Sequence, residues 1–182
     1  DRNTALKKVR ASLQGDQKQL AQLESEQKDL QALLKAVEVT VQNIQLPSDS
    51  TPFSQRKGKL PKPVNAGIDY RFGRKRNSTQ MRWEGIAFTG SKGQSITAVH
   101  HGRVVFADWF RGKGLLMIVD HGHGYMTLYA HNESLLRESG DWVSAGENIA
   151  TLGNSGGLDH TELYFEIRKN GKPENPKRWL AR

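Results

Sequence analysis

Three stretches decide how this chain reads: MRWEGIAFTG at 81–90, GYMTLYAH at 124–131 and LDHTELYFEIR at 158–168. Each carries a short run of alternating apolar and polar residues, rich in aromatic and branched side chains, as a half-buried strand requires. On a strand every second side chain shares a face. Glu162, Tyr164, Glu166 and Arg168 are therefore expected on one face of the third run, and Thr127, Tyr129 and His131 on one face of the second. Similar runs occur at 68–72, 85–89, 95–99, 103–107, 115–120 and 148–152, separated by glycine-bearing turns such as SKG, FRGKG, HGHG and NSGG. No helical period breaks the series. The expectation is a mainly β domain over 64–182, an antiparallel sheet or sandwich.

Upstream the period changes. Leu6, Val9, Leu13, Leu20, Leu23, Leu30, Leu34, Val37, Val41 and Ile44 follow an alternating 3,4 spacing, with Asp16 and Gln27 at the two remaining core positions. Lys, Gln, Glu, Asp and Ser fill most of the other positions. This pattern predicts a long α-helix, with 1–45 the C-terminal part of a coiled coil about 60 Å in length. Gly15 and the polar pair Asp16 and Gln27 weaken the seam. Pro47 and the run PSDSTPFSQRKGKLPKPV then end the helix, and 46–63 reads as a linker and candidate regulatory segment carrying Leu46, Phe53 and Leu60.

Composition narrows the rest. Among 182 residues there is no cysteine, which excludes a disulfide framework and a cysteine-ligated zinc site. No stretch approaches the roughly 20 apolar residues that span a bilayer. The chain opens inside the helical period without a charged-then-apolar leader, so it is expected to be a piece of a longer protein. The net charge of +8 suits an acidic protein surface, an anionic cell wall or lipid headgroups. No nucleic-acid partner is expected.

The three opening stretches resemble the motif regions of LytM-type peptidoglycan endopeptidases, across roughly residues 53–180. In that family the first region carries H-x-x-x-D, the second ends in a catalytic histidine, and the third holds H-x-H before Phe-Glu-Ile. Here Trp83 stands at the first ligand position, Ala87 at the aspartate, Glu162 at the first histidine of the pair and Tyr164 at the last ligand. Of the family's catalytic residues His131 alone is kept. A catalytic zinc needs about three protein ligands and an open position for water. An indole and a methyl group offer no donor, and a phenol with a pKa near 10 is a poor ligand at neutral pH. The resemblance thus implies a groove retained without catalytic residues, metal or cofactor. The other histidines, His100 with His101, His121 with His123, and His160, read as turn and surface residues.

What remains is a binding surface. Trp83, Glu84, Ala87, Tyr129, His131, Glu162, Tyr164 and Arg168 are the candidate groove residues, with tyrosine, tryptophan and arginine the types enriched at binding hot spots. A long coiled coil, a linker and a LytM domain without ligands together resemble the murein hydrolase activators. That resemblance implies a non-enzymatic periplasmic protein, recruited to the division septum, that switches on zinc-dependent N-acetylmuramoyl-L-alanine amidases through the groove. It implies that the coiled coil connects to the FtsE–FtsX complex. An adjoining helix or the linker lying across the groove would make the protein self-inhibited, the alternative being a plain tether. Two other readings stand beside this one: a peptidoglycan-binding module without catalysis, and a zinc endopeptidase with rearranged ligands.

Overall fold

The computed structural model describes residues 1–41 and 50–182. The expected end of the coiled coil and the first residues of the expected linker, including Ile44, Leu46 and Pro47, lie outside the described residues. Among the described residues one α-helix, α1 (Arg2–Val41), precedes eleven strands. These are β1 (Gly67–Asp69), β2 (Ile86–Thr89), β3 (Ser95–Thr97), β4 (Gly102–Phe110), β5 (Gly114–Gly122), β6 (Tyr125–Asn132), β7 (Ser134–Leu135), β8 (Trp142–Val143), β9 (Asn148–Thr151), β10 (Glu162–Lys169) and β11 (Lys172–Glu174).

An eight-stranded sheet runs β1-β2-β10-β6-β5-β4-β8, with β11 also paired to β10, and a second sheet runs β3-β9-β7. Every strand pair is antiparallel. The two sheets enclose a core of Ile86, Phe88, Ile96, Val104, Met117, Val119, Tyr129, Ile149, Leu152, Leu163, Phe165 and Ile167. The expected β class is present, and β1 to β6, β9 and β10 fall on the predicted runs, β1 taking only Ile68 and Asp69 of 68–72.

The helix turns part of its apolar stripe, read in the sequence as a coiled-coil seam, to the sheet. Leu30, Leu34 and Val37 pack on the outer face of the large sheet against Leu116, Ile118, Met126, Leu128, Ala130 and Tyr164. Burial of each such side chain stabilises the contact by about 1.5–3 kcal/mol. The sheet is therefore covered on both faces, which explains the nearly unbroken burial of β5, β6 and β10. The N-terminal half of the stripe, Leu6, Val9 and Leu13, stays 48%, 55% and 55% exposed. The helix passes straight through Gly15, where an added Cβ would meet open space.

The segment read as a linker needs correcting. Phe53, on a 3₁₀ turn at Phe53–Arg56, and Leu60 are fully buried, and both belong to the main core. Phe53 sits among rings: His121 at 4.7 Å, Trp179 at 4.8 Å, Tyr125 at 4.9 Å and His100 at 5.5 Å. Leu60 pairs in parallel with Leu180, Ala181 donating to the Leu60 carbonyl at 2.8 Å. From Phe53 onward the chain is part of the domain. Spacing between prolines hid this, because apolar residues seven apart carry no strand period.

His100 and His121 are not surface residues either. Both are buried, His100 Nε2 bonding the Thr51 carbonyl at 2.8 Å and His121 bonding the His101 carbonyl and the Thr127 hydroxyl, each at 2.8 Å. Burial, reinforced by neighbouring histidines, holds His100 down at about 4 and His121 at about 3. Asp120, beside them on β5, is pushed up to about 6 by the same desolvation. Replacing Phe53 with alanine is expected to cost about 3–5 kcal/mol of stability by urea denaturation. A change of a few tenths would return the segment to the status of a tether.

Candidate functional site

Strand β10 carries the site. Its odd residues Leu163, Phe165 and Ile167 enter the core between the sheets. Its even residues Glu162, Tyr164, Glu166 and Arg168 take the opposite face, and all four are nonetheless buried. Registration supplies their neighbours: Tyr164 lies between Ala87 on β2 and Ala130 on β6. Gly85 permits the approach of the preceding segment, since a Cβ there would come within 2.4 Å of the Phe165 carbonyl oxygen. Trp83, Glu84 and Ala87 thereby reach the same face as Tyr164, as the sequence reading expected of them.

Burying four polar side chains requires partners for each. Arg168 Nη2 donates to Glu84 at 2.6 Å and to Glu166 at 3.2 Å, and its Nη1 donates to the Gly171 carbonyl at 2.9 Å. Burial opposes the guanidinium charge, but the two carboxylates outweigh it and hold the pKa above its ordinary value. The Tyr164 hydroxyl donates to Glu166 at 3.2 Å. Burial, with Glu166 adding to it, raises that phenol well above its usual range. Glu162 receives two bonds from Arg71, at 3.1 and 3.2 Å, and His160 Nε2 lies 2.6 Å away. Arg71, which the sequence reading did not single out, is a site residue; its place beyond β1 gave no signal in the sequence.

Tyr129 leaves the candidate groove. It faces the inner core, 5.4 Å from the Phe165 ring, with its hydroxyl accepting from the Val99 amide at 3.2 Å. His131 was expected on that same face and is not. Between Tyr129 and Asn132, β6 advances one residue more than β5 does between Met117 and Leu115, and His131 adopts φ 68°. This bulge turns the imidazole toward Tyr164, at 6.5 Å between rings. Its Nδ1 donates to the Ser155 carbonyl at 2.7 Å, leaving Nε2 the unprotonated nitrogen. Burial holds this imidazole down at about 4, and the charge of Lys113 adds to the effect.

The helix covers this face. Gln27 Nε2 donates to Glu84 at 2.6 Å, Asp16 accepts from the Ser78 hydroxyl at 2.8 Å, and Asp29 pairs with Arg111 at 2.9 Å. A cavity of about 20 Å³ remains between helix and sheet, lined in part by Glu26, Arg76, Lys113, Tyr164 and Glu166, with room for about one water. Burial lowers the pKa of the Lys113 amine, whose Nζ lies 4.6 Å over the Tyr164 ring. In this state the partner-binding candidates Tyr164 and Arg168 are 3% and 0% exposed.

The motif positions offer a catalytic zinc few donors. At those positions His131 Nε2 and the Glu162 carboxylate are the donors, and Glu162 is already occupied by a guanidinium. Tyr164 is a neutral phenol engaged with Glu166, and Trp83 and Ala87 contribute no donor. Among the described residues no group of three or more His, Asp or Glu side chains is placed to hold a metal ion.

Two antiparallel sheets with the motif residues on or beside the adjacent strands β2, β10 and β6 form the fold of the M23 peptidases. Residues 81–176 match the model of peptidase family M23, and the chain belongs to that family. It is 41% identical over 126 residues to the murein hydrolase activator EnvC of Escherichia coli, covering 69% of this chain and 30% of that protein. It is 39% identical over 145 residues to the murein hydrolase activator NlpD of Salmonella dublin, covering 79% of this chain and 36% of that one. The chain thus spans about a third of the length of these relatives. In fold it matches a zinc-containing peptidase of Vibrio cholerae, with a TM-score of 0.58 at 22% identity over 70% of this chain and 41% of that one.

Acid should unfold the domain, with a sign set by these groups. Unfolded histidines titrate near 6.5, whereas folded His100 and His131 stay neutral down to about 4 and His121 to about 3. The unfolded state therefore binds more protons below about 6.5, and stability falls with pH. Asp120 works in the opposite direction, protonating in the folded state at about 6 and in the unfolded state near 3.8. The net excess of roughly two protons gives a loss of about 2–3 kcal/mol per pH unit near pH 5. Urea denaturation at pH 7, 6 and 5 measures it, and a flat profile would contradict these assignments.

Proposed function

We propose that this chain is the output end of a non-enzymatic activator of peptidoglycan hydrolases, shut in this state by its own helix. The observation that carries the reading is the seating of Leu30, Leu34 and Val37 over the face that holds Tyr164, Glu84 and Arg168. The partners proposed are periplasmic N-acetylmuramoyl-L-alanine amidases at the division septum. The relatives named murein hydrolase activators support this assignment. The poor fit of the motif positions to zinc supports activation over cleavage.

The switch is a competition. A groove already filled by α1 binds a hydrolase only to the extent that the helix leaves it. The helix contact contributes several kcal/mol through its three aliphatic anchors, enough to keep the open form rare and small enough to be reversed. The N-terminal stripe of Leu6, Val9 and Leu13, free of the sheet, is the natural handle. A partner gripping it, with the FtsE–FtsX complex proposed for that role, would pull α1 away. A hydrolase that binds the uncovered face in its active conformation is then held in that conformation.

Dye-labelled murein tests this with the chain alone, an amidase alone and the two together. The chain alone is expected to release nothing. Leu30→Asp with Leu34→Asp should raise stimulation of the amidase at least tenfold over the unaltered chain, and Tyr164→Ala added to that pair should abolish the gain. Equal stimulation with and without the paired substitutions would defeat self-inhibition. Dye release by the chain alone would defeat the non-enzymatic reading.

A further inference from the structure

Glu162 is the vacated motif position that still carries an oxygen ligand, and it is already spoken for. Arg71 donates to both of its carboxylate oxygens, at 3.2 and 3.1 Å, while Arg71 Nε is held by Asp69 at 3.1 Å. The two partners are nearly closed to solvent, their side chains 14% and 3% exposed. The same guanidinium lies 4.6 Å from the centre of the Trp83 ring, which takes a second guanidinium, Arg76, at 4.1 Å. Lys113 stands 4.6 Å over the ring of Tyr164. Three cationic side chains thus converge on positions 83, 162 and 164, where an M23 zinc centre would present ligands.

The backbone builds this arrangement deliberately. Asp69 on β1 registers opposite Ala87 on β2, and Ala87 registers opposite Tyr164 on β10. Two residues beyond Asp69 the chain turns, and the Gly73 amide donates to the Trp83 carbonyl at 2.8 Å while the Trp83 amide donates to the Arg74 carbonyl at 2.8 Å. The turn that carries Arg71 is therefore pinned to the first motif position itself. Its guanidinium is delivered to the inner end of β10 by main-chain pairing.

We propose that Arg71 is a resident counter-cation that balances buried Glu162 and closes the emptied motif to divalent metal. A buried carboxylate needs a compensating charge. In a metal centre the ion supplies it, and here a guanidinium does. A divalent cation entering this site would have to displace Arg71 from Glu162 and then lie beside it, with Arg76 and Lys113 close by. The loss of the metal is thus a replacement of one cation by another, and putting the ligands back does not by itself reverse it. The inference concerns charge at the motif and does not depend on whether a hydrolase docks there.

Two measurements test it, neither involving a hydrolase. In the first, Trp83→His, Ala87→Asp, Glu162→His and Tyr164→His are combined, with Arg71 kept and with Arg71→Ala. Titration calorimetry with zinc alone is expected to show at least tenfold tighter binding when Arg71 is removed. Equal affinity in the two backgrounds overturns metal exclusion. In the second, on the otherwise unaltered chain, Arg71→Ala is compared with Arg71→Ala plus Glu162→Gln. Thermal unfolding is expected to show a marked drop in Tm for the single substitution and recovery of most of it in the pair. A pair no more stable than the single variant overturns the counter-ion role.

Discussion

The outer face of β10 sets the terms for everything around it. Four consecutive outward positions, Glu162, Tyr164, Glu166 and Arg168, are polar or ionisable, and none is left to water. Low-dielectric surroundings make each of them costly without a partner. The partners come from separate parts of the chain: Arg71 beyond β1, Glu84 before β2, His160 before β10 and the Gly171 carbonyl after it. The folds of the loops around the sheet are set by these obligations. The helix meets them too, because Gln27 donates to Glu84 beside the apolar contact of Leu30 and Leu34.

One stripe on one helix is buried at one end and exposed at the other. From Leu30 onward it grips the sheet, and from Leu13 back to Leu6 it is bare. The two halves continue the same spacing, so nothing in the sequence marks where one use ends and the other begins. Polar Asp16 and Gln27, which weaken a coiled-coil seam, instead reach across to Ser78 and Glu84. What reads as a defect in a helix pair is a match to a sheet. Asp29 on the helix pairs with Arg111 on the domain, so that charge as well as shape favours the contact between helix and sheet.

The sequence showed the β class and the principal strands clearly, since alternation and turn glycines are local signals. It did not show β7, β8 or β11, each of two or three residues and too short to display a period. Ala87, Tyr164 and Arg168 reached one face because strand alternation and register hold there without interruption, whereas Trp83 and Glu84, consecutive and ahead of β2, reach it through the close approach at Gly85. Tyr129 was misplaced because alternation was carried through a bulge: one residue at positive φ reversed the parity between it and His131. Phe53 and Leu60 were misread because isolated apolar residues among prolines bury themselves through tertiary contact that no period announces. Arg71 escaped notice for a related reason, since an arginine in a basic run looks like solvated charge until its partner is known.

The fastening of Leu60 to Leu180 has a mechanical side. The segment that leaves the helix enters the domain at Phe53, wedged among four rings, and is next secured where the Leu60 and Ala181 main chains meet. That second attachment is made by the main chain, the Leu60 amide donating to the Trp179 carbonyl and the Ala181 amide to the Leu60 carbonyl. The helix, held mainly by side chains stacked along its length, can be peeled from one end. Under load the side-chain contact would give way before the main-chain one, and the sandwich would outlast the cover.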